Sequence, residues 1–181
     1  MFDLSKNHFE LFGLPVDFII DGAALAERYR ELQRVVHPDR YANASEQEQR
    51  LSLQRATRIN EAFETLKNPV SRAQYLLSLH GIDMQAEKET TRDTAFLMEQ
   101  LELREALENA RNADDPQAVL DELMDRISAM IRKQVAQMAI HFEDPNPVNL
   151  QAARESVRKM QFLNKLLSEA EALEAELEDM L

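Results

Sequence analysis

The residues best placed to do chemistry form one short run, His37-Pro38-Asp39-Arg40. The run brings an imidazole, a carboxylate and a guanidinium together around a proline. Pro38 lacks an amide donor and has a fixed φ, so the run predicts a rigid turn that exposes the Asp39 carboxylate as an acceptor. Taken alone, the run is also an ordinary helix stop, because proline often follows a helix and aspartate often precedes the next one.

The remaining reactive side chains form no further site. The four histidines, His8, His37, His80 and His141, are scattered, and there is no cysteine to complete a transition-metal site. Glutamates near the C-terminus recur on a predicted solvated helical face, where nothing would raise their pKa. The chain has no glycine-rich phosphate loop and no Ser/His/Asp arrangement, which argues against a hydrolase. We therefore predict no metal, no cofactor and no catalytic residue.

Composition predicts an all-α protein. The 181 residues include three glycines, six prolines, no tryptophan and no cysteine, beside many leucines, alanines and glutamates, which helices favour. A net charge of −12 argues against nucleic-acid binding, which depends on lysine and arginine releasing counterions. The chain has no run of about 18 apolar residues that would predict a membrane helix. The lack of cysteine fits a reducing compartment, and we expect a cytoplasmic protein that does not bind membranes.

Capping residues, prolines and glycines divide the chain into seven predicted helices. Four precede residue 82 and three follow residue 93. Each starts at a side chain that can accept a hydrogen bond from free first-turn amides. The predicted helices run from Asn7 to Gly13, from Asp21 to Val36, from Ser45 to Leu66 and from Asn68 to Gly81, and then over 94–111, 116–141 and 147–179.

A change in composition predicts two domains. Residues 81–93 are polar and lack a helical period, as expected of a boundary. Charge also differs on the two sides, because residues 1–80 hold 10 basic and 11 acidic side chains, whereas residues 81–181 hold 11 and 22. We predict a four-helix N-terminal domain with a helical hairpin at 1–81, a connecting segment at 82–93 and a three-helix bundle at 94–181.

The N-terminal helices place the His37-Pro38-Asp39 run in the loop of the hairpin. In this the sequence resembles the J-domain family, whose members carry His-Pro-Asp at that position. The similarity spans residues 7 to about 76, and it includes Ile59-Asn60-Glu61-Ala62-Phe63, Leu66, Pro69, Arg72-Ala73 and Tyr75. Arg40 stands where most members have lysine, a change that keeps the positive charge.

The resemblance implies that the second helix contacts the ATPase side of a heat-shock-70 class chaperone and stimulates its ATP hydrolysis. Asp39 would engage a cationic group there, while outward arginines steer an acidic surface. Arg28 is better explained as part of a solvated face with neighbouring glutamates. The predicted chaperone-binding residues are Arg30, Arg34, His37, Pro38, Asp39 and Arg40.

The C-terminal half resembles one J-protein family in particular. Common J-proteins carry Gly/Phe-rich linkers and cysteine-rich zinc repeats, which a chain with three glycines and no cysteine cannot have. The stretches 75–81 and 92–105 are similar to the HscB family. That family implies delivery of an IscU-type iron–sulfur scaffold protein to an HscA-type chaperone, and hence that residues 94–181 bind the scaffold.

Helical periodicity indicates a surplus of apolar residues in this half. On the 94–111 helix, Phe96 and Leu103 share one stripe, while Leu97, Met98 and Leu101 lie on the opposite side. Phe162 points away from the core stripe of the last helix. Packing against other parts of the protein could explain the surplus, but the resemblance favours a scaffold-binding patch of Leu97, Met98, Leu101 and Phe162, rimmed by Glu102, Arg104 and Glu105.

The sequence thus predicts a helical co-chaperone and not an enzyme. One alternative is a J-protein that serves a general chaperone and other clients. Another is a helical structural protein in which His37-Pro38-Asp39 is only a helix stop, so that Asp39→Ala would be silent. We expect a monomer, although the long acidic last helix could pair weakly with a second copy.

Overall fold

The computed structural model describes residues 5–84 and 93–179 of the chain. These residues form seven α-helices and one short 3-10 helix, with no strand among them. The all-helical fold class is therefore confirmed. The chain divides into two compact units, unit 1 (Met1–Ile82) and unit 2 (Asp83–Leu181). Most of the predicted connecting segment, residues 85–92, lies outside the described residues.

Unit 1 contains α1 (His8–Phe12), α2 (Gly22–Val36), α3 (Glu46–Lys67) and α4 (Pro69–Leu79). A 3-10 helix at Pro38–Tyr41 separates α2 from α3 and was not predicted. Its i→i+3 bonds suit a short connection, in which periodicity has no room to show. The fourth helix ends at Leu79, two residues before the predicted Gly81.

Helix ends in unit 1 follow the predicted capping signals. Asn7 and Ser45 each form a capping box with the glutamate three residues later, which satisfies two free amides reciprocally. Asp21 and Asn68 accept from first-turn amides of α2 and α4. Gly13 ends α1 in the left-handed region, with φ +65°, where a side chain would be strained. These caps fix the ends of the hairpin formed by α2 and α3.

The core of unit 1 is aromatic on the α1 side and mixed across the hairpin. Its largest fully buried side chains are Phe9, Phe12, Phe18, Leu25, Ile59, Leu66 and Leu77. Tyr29 of α2 stacks on Phe63 of α3 with ring centroids 4.1 Å apart. The Tyr29 hydroxyl donates to Asn60 Oδ1 at 3.0 Å, and the Gln33 amide donates to the same oxygen. Such packing holds α2 against α3 and so positions the loop that joins them.

Unit 2 is a three-helix bundle of α5 (Thr94–Ala110), α6 (Pro116–Glu143) and α7 (Pro147–Glu178). Proline occupies the first turn of α6 and α7, where a missing amide costs nothing. The three helices meet at a core whose buried residues are Phe96, Leu103, Leu123, Ile127, Leu163 and Leu166. A second cluster, Ala110, Leu120, Ala170 and Leu173, extends that core along the bundle.

Candidate functional site

The His37-Pro38-Asp39 run lies on the surface, directly after α2. The side chains of His37 and Asp39 are 53% and 90% exposed. The Asp39 amide donates to His37 Nδ1 at 3.3 Å, and that nitrogen is also 3.5 Å from Asp39 Oδ2. Neither contact buries the carboxylate, which remains largely exposed to solvent. The Asp39 carboxylate is therefore available to a partner.

Arg40 turns back toward α2. Its Nη1 donates to the carbonyl oxygen of Arg34 at 2.9 Å. In a regular helix that carbonyl would accept from residue 38, but Pro38 has no amide proton. The guanidinium supplies the missing donor while Arg40 remains exposed. Arg40 thus has a local contact that the sequence prediction, which assigned it to the partner, did not include.

Arg30 and Arg34 form the exposed cationic stripe of α2. Their spacing of four places them on the same face of the helix, both are exposed, and neither forms a salt bridge with another described residue. Arg28, by contrast, pairs with Glu31 at 3.0 Å, with both side chains more than half exposed. The expectation that Arg28 belongs to a solvated ion pair is met.

Three apolar side chains protrude from the outer face of α5. Leu97 is 39% exposed, and Met98 and Leu101 are each 57% exposed. The opposite face is buried, with Phe96 and Leu103 in the core. Of the two predicted stripes of α5, one is therefore buried and the other is exposed. We call Leu97, Met98 and Leu101 the α5 patch.

Phe162 lies beside α5 but is less available than its predicted role suggests. It is half-buried and packs against the core of unit 2. Its ring meets Phe96 edge to face, with centroids 5.9 Å apart, and the guanidinium carbon of Arg104 lies 5.5 Å from its centroid. The sequence prediction that Phe162 points away from the α7 stripe overlooked this contact with α5. Phe162 therefore packs against α5 and also leaves part of its ring exposed.

The predicted rim of the α5 patch carries partly satisfied charges. Glu102 is 3.5 Å from Arg126 of α6, and Arg104 is 3.7 Å from Glu169 of α7. Glu105 is exposed and forms no salt bridge within the described chain. Pairs this exposed contribute at most about 1 kcal/mol to stability. They leave the rim charged and able to exchange partners.

Two further residues support these surfaces without any signal in the sequence. The Ser52 hydroxyl donates to the Val36 carbonyl at 2.7 Å and is buried. Lys159 Nζ lies 2.5 Å from Asp93 Oδ2, and this hydrogen bond, together with that from the Phe96 amide, lowers the pKa of Asp93. Both contacts join residues far apart in the chain, which helical periodicity cannot reveal.

No cluster of three or more potential metal-ligating side chains occurs within residues 5–84 and 93–179. Among the same residues, no helix is both long and apolar enough to cross a membrane.

Comparisons with known proteins agree with this arrangement. The DnaJ domain model matches residues 7–75, and the HSCB C-terminal oligomerisation domain model matches residues 92–171. A co-chaperone protein HscB homolog from Shewanella oneidensis is 46% identical over 173 residues, covering 96% of this chain and 99% of that protein. The chaperone HscB from Vibrio cholerae has a TM-score of 0.84 and 42% identity over 95% of this chain and 99% of its own. The human co-chaperone protein HscB has a TM-score of 0.82 and 30% identity, with 95% and 84% covered.

An exposed His-Pro-Asp loop on a helical hairpin, joined to a three-helix bundle, defines a J-domain co-chaperone, which is not itself an enzyme. Proteins of this class work with a heat-shock-70 class chaperone and a client. Identity across nearly the whole length then decides the family: this chain belongs to the HscB co-chaperones. The resemblance inferred from the sequence is confirmed.

Proposed function

We propose that this protein delivers an IscU-type iron–sulfur scaffold protein to an HscA-type chaperone and stimulates that chaperone's ATP hydrolysis. Residues 1–81 would act on the chaperone, and residues 94–181 would hold the scaffold. The observation that supports the proposal is that each unit exposes one of the two predicted sites: the Asp39 loop on unit 1 and the α5 patch on unit 2. We propose the cytoplasm as the site of action, in keeping with a chain that has no cysteine.

Asp39 is suited to engage a cation on the chaperone. Its side chain is 90% exposed, and its backbone is held by the 3-10 helix that begins at Pro38. A side chain on a backbone that is already ordered loses less conformational freedom on binding than one on an unstructured loop, which favours association. Arg30 and Arg34 lie on the helix that leads to the loop, where positive charge would steer an acidic surface and speed the encounter.

The α5 patch is suited to an apolar surface of the scaffold. Leu97, Met98 and Leu101 protrude from one face of a helix whose other face is anchored in the core. Apolar side chains on a rigid element make effective anchors because their positions are set before binding. Methionine adds adaptability to the contact.

Carrying both surfaces on one chain explains why an adaptor would accelerate the reaction. A scaffold held by unit 2 reaches the chaperone at an effective concentration set by the tether rather than by the bulk solution. Stimulation by the Asp39 loop and arrival of the client would then coincide. Neither stimulation of the chaperone nor delivery of the client requires a catalytic residue of this protein.

The test is single-turnover ATP hydrolysis by an HscA-type chaperone, with this protein present and with or without an IscU-type scaffold. We expect wild type to stimulate hydrolysis and the scaffold to increase that stimulation. Asp39→Ala should abolish stimulation while leaving scaffold binding intact. Leu97→Ala combined with Leu101→Ala should weaken scaffold binding by about tenfold or more while leaving scaffold-independent stimulation intact.

Ile140→Ala is the matched control for the patch, because Ile140 is a 62% exposed apolar residue of the same unit outside α5. It should leave scaffold affinity unchanged. Unchanged scaffold affinity in the folded Leu97/Leu101 double variant would exclude the α5 patch as the client site. Equal stimulation of a general heat-shock-70 class chaperone, without a scaffold effect, would instead favour the general J-protein alternative.

A further inference from the structure

The end of α2 is unusual in how its carbonyl groups are satisfied. The last carbonyls of any helix lack the amide donors of a following turn. At most helix ends, water or a glycine-containing turn supplies replacements. Here α2 ends at Val36 and passes through His37, with φ −55° and ψ 129°, into the 3-10 helix.

The three amides that would continue the helical pattern are missing or engaged elsewhere. Pro38, the regular partner of the Arg34 carbonyl, has no amide proton. The Asp39 amide, which would serve Val35, donates to His37 Nδ1 at 3.3 Å. The Arg40 amide, which would serve the next carbonyl, donates to the His37 carbonyl at 3.0 Å. The His-Pro-Asp loop thus uses the donors that the helix end would otherwise need.

Side chains replace all three donors. Arg40 Nη1 donates to the Arg34 carbonyl at 2.9 Å, the Tyr41 hydroxyl to the Val35 carbonyl at 3.4 Å, and Ser52 Oγ to the Val36 carbonyl at 2.7 Å. The first two donors belong to the 3-10 helix of the loop itself.

Ser52 differs from the other two donors because it lies within α3. Ser52 is 1% exposed, and Val36, whose carbonyl accepts the Ser52 hydrogen bond, is 2% exposed. A buried carbonyl that loses its only donor must stay unsatisfied or move toward water. Since Val36 immediately precedes His37, any such movement would be passed directly to the loop.

We propose that Ser52 is the positioning residue of the His-Pro-Asp loop: its hydroxyl ties the root of the loop to α3 and so sets the direction in which Asp39 faces the chaperone. This inference rests on the proposed function of the loop. If only a fraction of molecules holds the competent orientation, the apparent affinity for the chaperone falls by that fraction. The stimulation reached at saturation is unchanged.

The experiment titrates the full-length protein into single-turnover ATP hydrolysis by an HscA-type chaperone. Ser52→Ala should raise the concentration giving half-maximal stimulation by about three- to tenfold, the range expected for one lost hydrogen bond, with the maximum retained. Ser52→Thr keeps the hydroxyl. Ser52→Val gives a side chain of nearly the same shape as threonine but without the hydroxyl. Thr should therefore remain close to wild type and Val should behave like Ala.

Ser156→Ala is the matched control, because Ser156 is a buried serine of α7 in unit 2, and it should not shift the titration. A general loss of stability would also raise the half-maximal concentration, because less of the added protein is folded, so circular dichroism at the assay temperature measures the folded fraction of each variant and stimulation is plotted against the concentration of folded protein. Half-maximal concentrations equal to wild type for both Ser52→Ala and Ser52→Val would overturn the inference. Asp39→Ala is included, since unaltered stimulation by that variant would overturn the proposed function itself.

Discussion

Asp39 has few interactions within its own chain, and this is what makes it suitable for recognition. The contact with His37 orients its backbone without burying its carboxylate. Arg40, in contrast, has a structural task at the end of α2. Residues next to each other in one motif therefore divide into one that faces a partner and one that supports the loop.

Arg30 and Arg34 are expected to contribute to association rather than to the final complex. Replacing both with alanine should raise the half-maximal concentration for stimulation by about two- to fivefold at low salt, because exposed charges act mainly through long-range steering. The difference from wild type should shrink as salt is added. Arg28→Ala, which removes a positive charge already paired with Glu31, is the control and should show a much smaller change.

If the half-maximal concentration of the Arg30/Arg34 variant were raised by the same factor at every salt concentration, the two arginines would instead form a direct, desolvated contact with the chaperone.

His8 makes the stability of unit 1 depend on pH. Burial, with a smaller contribution from the charge of Arg58, lowers its pKa from 6.5 to about 4. Between these values the unfolded chain binds a proton that the folded protein does not, so stability falls as the solution becomes more acidic. Its buried Nδ1 has no hydrogen-bond partner among the residues that the structure describes, and its ring stacks on Tyr75.

We expect His8→Phe to keep the stacking and remove this titration. Urea unfolding of both proteins at about pH 7 and at pH 4 isolates the effect from that of the carboxylates. Wild type should lose about 3 kcal/mol more than the variant over that interval. Parallel losses in the two proteins would mean that His8 is accessible to protons in the folded state.

At the scale of elements, α5 depends on a contact at its first turn. Asp93 caps the helix by accepting from the Phe96 amide at 3.1 Å, and it also binds Lys159 of α7. Lys159 lies 5.2 Å from the centroid of the Phe96 ring. One lysine thus holds the start of α5 and the first core aromatic of that helix together.

Substitutions at Asp93 should distinguish the contribution of the helix cap to stability from that of the ion pair with Lys159. Asparagine caps a helix as well as aspartate does but cannot pair with Lys159 as a charge. The midpoint of thermal unfolding should therefore decrease in the order wild type, Asp93→Asn, Asp93→Ala. Lys159→Met should match Asp93→Asn, and combining the two should add little. Additive losses would show that the two residues act independently.

Much of this architecture was predictable because its signals are local. Asn7, Asp21, Ser45, Asn68, Asp93, Asp115 and Asn146 all cap helices in the structure, and a capping side chain acts within three residues of itself. The opposite stripes of α5 follow from one helical period. Neither signal depends on the rest of the fold.

The features that escaped prediction depend on distance in the chain. The contact of Ser52 with Val36 and that of Lys159 with Asp93 exist only once separate helices have packed. The half-burial of Phe162 likewise reflects its neighbour Phe96 on another helix. A helical wheel shows which way a side chain points but not what it meets.

At the scale of the whole molecule, charge separates the two halves. Residues 81–181 carry 22 acidic and 11 basic side chains, against 11 and 10 in residues 1–80. The excess acid should keep two copies of unit 2 apart at low salt. We expect sedimentation equilibrium to give the monomer mass of 20.9 kDa at low and at physiological salt.

A dimer that forms as salt is raised would indicate that screening unmasks an apolar contact between copies. Repeating the measurement with the Leu97/Leu101 double variant would show whether the α5 patch forms that contact.

The end of α2 has one more consequence, which concerns the cost of keeping Asp39. The aligned peptide dipoles of a helix place partial negative charge at its C-terminus, and here an aspartate follows that negative pole by three residues. The arrangement strengthens the local field that attracts a cation, but it opposes folding of the same segment. Asp39→Asn should accordingly unfold at a higher temperature than wild type while losing stimulation of the chaperone. The charge of Asp39 would then lower the thermal stability of the protein, and the protein would keep that charge because stimulation of the chaperone requires it.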